Sequence, residues 1–145
     1  MTTRRDTLRS MVPLTAAVLG GFGLAACREE PIRQSSTLPF VGRGTMRERA
    51  EQIRRAAVEL GWVTRELTPG TRNAPQGRGG PSGGLMEAVN NRDGHNVVVN
   101  ISYDTRSFTI RYVSSVGLNY DGARIHRYYN DRVERLEQAI QRAST

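Results

Sequence analysis

The chain has 145 residues and a mass of 16.1 kDa, a length that holds one domain with accessory segments rather than several. It carries 21 arginines and no lysine against 14 acidic residues, for a formal charge of +7, and 37% of its residues are hydrophobic. Fourteen of those hydrophobic residues fall within the first 27, so the remainder suits a small globular core; a multi-domain protein, a multi-span membrane protein and, with one cysteine, a disulfide-stapled mini-protein are excluded.

Residues 1–10 are polar and basic, with Arg4, Arg5 and Arg9 against Asp6, and residues 11–26 are apolar with three glycines and Pro13. That run is short of the ~20 apolar residues a spanning helix needs. A basic segment, a short apolar one and then small residues form the pattern of a secretory signal peptide, here 1–26. Its end, Leu24-Ala25-Ala26-Cys27, resembles the lipobox of bacterial lipoproteins. The resemblance implies cleavage before Cys27, transfer of diacylglycerol to its thiol, and acyl chains that moor the protein to a membrane. One chain binds a bilayer only marginally, and stable anchoring takes more than one. Thr3-Arg4-Arg5-Asp6-Thr7-Leu8-Arg9 is similar to the twin-arginine export signal, with Thr7 and Arg9 where Phe and Lys are usual. Arg28 follows the cysteine, where an Asp would favour inner-membrane retention. The resemblance therefore implies the periplasmic face of the outer membrane.

Residues 28–44 hold two prolines, two glycines and no helical period, and read with Cys27 as a flexible tether over 27–44. Such a segment spans at most ~60 Å extended and roughly 23 Å as a coil. The folded domain is expected over 45–145. Thr45-Met46-Arg47-Glu48 has the form of a capping box. Met46, Ala50, Ile53, Ala57 and Leu60 then recur on one helical face, and Gly61 supplies a left-handed stop, predicting a helix over 45–60.

Trp62–Leu67 reads as a short strand. Residues 68–84 follow with six glycines and three prolines, a long loop that lacks the G-x-x-x-x-G-K-S/T phosphate pattern. Leu85–Asn90 reads as a second strand, with a helix as the alternative, and Asn91-Arg92-Asp93-Gly94 as a hairpin turn. His95–Tyr103 alternates, with Val97, Val99, Ile101 and Tyr103 on one face; Phe108, Ile110 and Tyr112 continue the pattern after a turn at 104–107. Asp121 is placed to cap a last helix whose apolar stripe is Ile125, Tyr129, Val133, Leu136 and Ile140, with Asp131 and Arg135 spaced as an i,i+4 ion pair. The expected fold is an α+β two-layer sandwich: an antiparallel sheet of about four strands covered by two helices, in the order α-β-β-β-β-α.

Hydroxyl, amide and imidazole groups concentrate between Ser114 and Asn130. Tyr112, Ser115, Leu118, Tyr120, Gly122, Ile125, His126, Tyr129 and Asn130 fit a pattern like Y-x-x-S-x-N-L-x-Y-x-G-x-x-I-H-x-x-Y-N-x-W, with Gly117 for the first Asn and Arg132 for the Trp. This resembles a family of small bacterial secreted proteins and lipoproteins; the resemblance implies the fold and brings no activity with it. Ser115, Asn119, Tyr120, His126, Tyr129 and Asn130 are the candidate ligand-binding or structural residues. A Ser115–His126–Asp121 hydrolase would need an elbow and an oxyanion donor that the sequence does not display. The preferred reading is a buried turn that satisfies its own backbone. Two histidines, His95 and His126, without metal-ligand spacing give no metal site, and no cofactor is implied. Beyond the leader, 18 arginines face 13 acids and are interspersed with them, which does not suit nucleic acid. The expected function is a non-catalytic, lipid-anchored envelope protein, not an enzyme. It would bind an envelope protein or polymer through the polar sheet face (Asn96, Asn100, Ser102, Thr109, Arg111) or the 68–84 loop. The alternative is a small-ligand sensor or carrier with a pocket near His126 and Tyr120.

Overall fold

The computed structural model describes residues 29–68 and 83–145; the signal peptide, Arg4, Arg5, Cys27 and nearly all of the glycine-rich 68–84 segment lie outside the described residues. The elements in chain order are β1 (Glu29–Pro31), β2 (Thr37–Pro39), α1 (Met46–Glu59), β3 (Val63–Glu66), β4 (Gly84–Arg92), β5 (His95–Tyr103), β6 (Ser107–Val116), β7 (Arg124–His126) and α2 (Arg127–Ala143). The main sheet has five strands in the order β2-β6-β5-β4-β3, all antiparallel, and β1 pairs with β7 in a separate two-stranded ribbon. The α+β two-layer architecture read from the sequence is present.

The capping box at the start of α1 forms in both directions: the Glu48 amide donates to Thr45 Oγ1 at 3.3 Å and the Thr45 amide to Glu48 Oε2 at 2.7 Å. At the other end the amides of Trp62 and Gly61 reach the carbonyls of Ala57 and Val58, a closure that requires the left-handed φ of +75° at Gly61. Asp93 and Gly94, at φ of 56° and 77°, make the tight β4–β5 turn. Met86, Ala88, Val97, Val99, Ile101, Phe108 and Ile110 point from the sheet into one core with Ile53, Ala57, Tyr129, Val133, Leu136 and Ile140 of the helices. Among the described residues, no helix is long and apolar enough to cross a membrane.

Three expectations need correction. Residues 29–42 are not a free tether. They run alongside α2 from its first turn to its last, and Phe40 is buried in the core. Asp121 does not cap α2: the helix begins after His126, because residues 124–126 are drawn into pairing with β1. Ile125 is therefore buried as a strand residue rather than a helical one. Asp131 pairs with Arg127, one turn earlier, at 3.5 Å, not with Arg135.

Candidate functional site

Ser115, Tyr120, Asp121 and His126 each make a bond within their own stretch of chain. Val99 and Val98 pair with Tyr112 and Ser114, leaving Val113 as an extra residue on β6. That bulge turns Ser115 toward the helix-covered face, where its hydroxyl lies 3.0 Å from the Tyr112 hydroxyl. Asp121 Oδ1 accepts from the amides of Arg124 (2.7 Å) and Ala123 (2.9 Å), and these two backbone bonds hold its carboxyl below the usual range. His126 Nδ1 accepts from the Tyr128 amide at 3.2 Å as the cap of α2, and the His126 amide donates to the Leu118 carbonyl at 2.9 Å. Asn119 takes the left-handed turn position at φ 49°. The Tyr120 hydroxyl donates to the Gly122 carbonyl, and its ring packs 4.4 Å from that of Tyr112, which meets Tyr129 edge-on at 5.4 Å. Tyr129 is fully enclosed, and that burial pushes its hydroxyl far above the usual phenol value. Ser115, His126 and Asp121 thus each bond to a different group rather than to one another.

The last part of the stretch, Ala123 to Asn130, holds the arm formed by residues 29–42. Glu29, Glu30 and Pro31 pair with His126, Ile125 and Arg124. The Ile32 amide donates to the Ala123 carbonyl at 2.9 Å. Asn130 then works in both directions: its Oδ1 accepts from the Arg33 amide at 2.9 Å, and its Nδ2 donates to the Pro31 carbonyl at 3.0 Å. About two turns further on, the Arg33 guanidinium reaches Glu137 Oε2 at 2.7 Å. Glu137 is only 5% exposed in its side chain, and that bond raises the Arg33 guanidinium above its ordinary value. Further along, Gln141 Nε2 donates to the Pro39 carbonyl, and Ser144 Oγ accepts from the Val41 amide.

Sequence reasoning missed Arg33 and Glu137, because their link spans 104 positions and neither residue breaks a local pattern. It also missed Arg49, which is buried. Its Nε donates to the Thr105 carbonyl at 3.1 Å, a second nitrogen reaches the Gly42 carbonyl, and its Cζ lies 4.3 Å above the Phe40 ring. Asn90 was readable in principle. It is a polar residue at the inward position after Met86 and Ala88, and it bonds the Gly61 carbonyl at the end of α1.

The sheet face opposite the helices carries Asn96, Asn100, Ser102, Thr109 and Arg111, as the alternation implied. Glu87, Asn100 and Arg111 stand in one cross-strand row, with Arg65 bonded to Glu87 at 2.7 Å. The face is not uniformly polar, since Val63, Val89 and Val98 form a second row, and Asn100 is buried. Of the clefts formed by described residues, one along the first turns of α1 and one between the end of α1 and α2 are both lined without His126 or Tyr120. Among the described residues, no group of three His, Cys, Asp or Glu side chains is arranged to hold a metal ion. Comparison with known proteins finds no family model, no curated protein and no solved structure that matches the chain.

Proposed function

We propose that the chain is a non-catalytic, lipid-anchored protein of the bacterial cell envelope. In this reading the 1–26 leader, led by Arg4 and Arg5, exports it, and Cys27 is acylated. The body then stands at the periplasmic face of the outer membrane and offers its open sheet face to an envelope protein or polymer. The observation that carries the reading is the position of Leu24-Ala25-Ala26-Cys27, directly after the apolar run and two residues before the first strand. The described structure adds a consequence. With residues 29–42 bound along α2, the body would sit directly on the anchor instead of ranging from it on a coil. Fractionation of cells expressing the wild type and Cys27→Ser tests the anchor. The wild type is expected to stay in salt-washed membranes and the variant to be washed free. A variant retained as strongly as the wild type contradicts acylation as the mooring.

A further inference from the structure

We propose that the cleft between the end of α1 and the flank of α2 binds the phosphate of an anionic phospholipid headgroup. The cleft has a volume of about 360 Å³, and Arg92, Arg132 and Arg135 converge on it beside Trp62 and the exposed Val58. Arg132 is held in place before any ligand arrives. Its Nη1 donates to Asn90 Oδ1 at 2.7 Å, its Cζ stacks 4.3 Å over the Tyr128 ring, and Asn90 is itself buried against the end of α1. A guanidinium fixed in this way presents its remaining donors in the planar fork that suits a phosphate oxygen pair.

Local acids do not cancel the charge. Asp93 is the carboxylate near two of the three arginines, and only at 3.5 Å from Arg92 and 3.9 Å from Arg132. Glu59 is the acid that lines the cleft itself. Asp131, spaced to neutralise Arg135, is turned to Arg127 instead. Three cations therefore face two anions around one concavity.

The location points to the source of the phosphate. The Tyr128 hydroxyl donates to the Arg92 carbonyl at 3.3 Å, so the β4–β5 turn lies against the first turn of α2. That same turn follows β7, which pairs with β1, and Cys27 is two residues before β1, a contour of about 7 Å. The end of the molecule that bears the arginine cleft is the end from which the chain leaves toward the anchor. This placement rests on the acylation at Cys27 proposed above; acylation would bring the cleft to headgroup depth.

The test uses the processed chain from residue 27 with Cys27→Ser, so that no acyl chain contributes, in sedimentation with phosphatidylcholine vesicles with and without phosphatidylglycerol. Binding is expected only to the anionic vesicles. Arg135→Glu, on the exposed rim, leaves the Asn90–Arg132 bond intact and should weaken binding at least about fivefold, the effect of one basic residue at a charged membrane surface. The combination of Arg132→Gln with Arg135→Gln should weaken it further, whereas Arg54→Gln with Arg65→Gln, the same change of charge elsewhere, should leave most of it. Equal losses in the two double variants overturn the site, as does absence of vesicle binding, or binding of inorganic phosphate at this cleft without vesicle binding. The mass of wild-type Cys27, measured separately, reports on acylation, so failure of either idea is recognised independently.

Discussion

Arg33 and Glu137 show how a single contact can define the limit of a domain. Glu137 lies on the buried side of α2, and its carboxylate is compensated by a guanidinium from a segment with the composition of a linker. Removing the guanidinium leaves a buried anion, the costly half of a broken pair, although the partial exposure of Arg33 lets water take some of its place. Arg33→Ala is expected to cost about 1–2 kcal/mol in chemical denaturation, and Arg33→Ala combined with Glu137→Gln should recover part of that loss. An Arg33→Ala protein as stable as the wild type contradicts the pairing. At this scale a residue type that contradicts its position was the available signal, and it went unread at Asn90 among inward-facing strand residues. The sequence was silent where the partner lay about a hundred positions away, as for Arg33 and Asn130.

Among elements, those read correctly are the ones defined by local chemistry. Thr45 with Glu48 and Gly61 mark the two ends of α1, Asp93-Gly94 marks the β4–β5 turn, and strict alternation marks β5. The start of α2 went astray because Asp121 can serve either a helix or a turn. Its carboxylate is taken by the amides of Ala123 and Arg124, and the helix waits for His126. The β6 bulge was hidden for a related reason: one extra residue exchanges the faces without changing composition.

Three such local carboxylates make stability depend on pH. Backbone and hydroxyl donors at Thr45 hold Glu48 below the usual range, and the amides of Arg124 and Ala123 do the same for Asp121. At Asp104, burial pushes the carboxyl up, but the amides of Arg106 and Ser107 and the Ser107 hydroxyl together carry it lower. Groups lowered on folding contribute fully above the ordinary carboxylate range, about pH 4, and that contribution is lost as pH falls through their lowered values. Tm is therefore expected to fall on acidification below about pH 4. Asp104→Asn, which keeps an acceptor for both amides but does not titrate there, should fall less steeply. An unchanged slope contradicts this assignment.

For the whole molecule, the arm from Glu29 to Gly42 changes what kind of object the chain is. Two prolines and the absence of a period made it look free, yet both prolines sit at the ends of three-residue edge strands, where a missing amide costs nothing. Strands that short cannot show alternation, so only tertiary contacts reveal them. Phe40 closes the core beneath Arg49 and packs 5.1 Å from Phe108. Phe40→Ala is expected to cost about 3–4 kcal/mol, seen as a Tm lower by about 10 °C or more; a tether residue would show no such loss.

The arm also joins the two halves of the account. Residues 123–130, the end of the stretch dense in groups that could have served chemistry, hold the arm that begins at Glu29, so a membrane anchor at Cys27 would grip the folded body through β1, β7 and Asn130. The most direct test is the intact mass of the protein purified from the membranes of its native host. The expected mass is that of a chain that begins at Cys27 and carries acyl chains on that residue. A mature chain with Cys27 present and unmodified, or one that begins elsewhere, would contradict the acylated anchor.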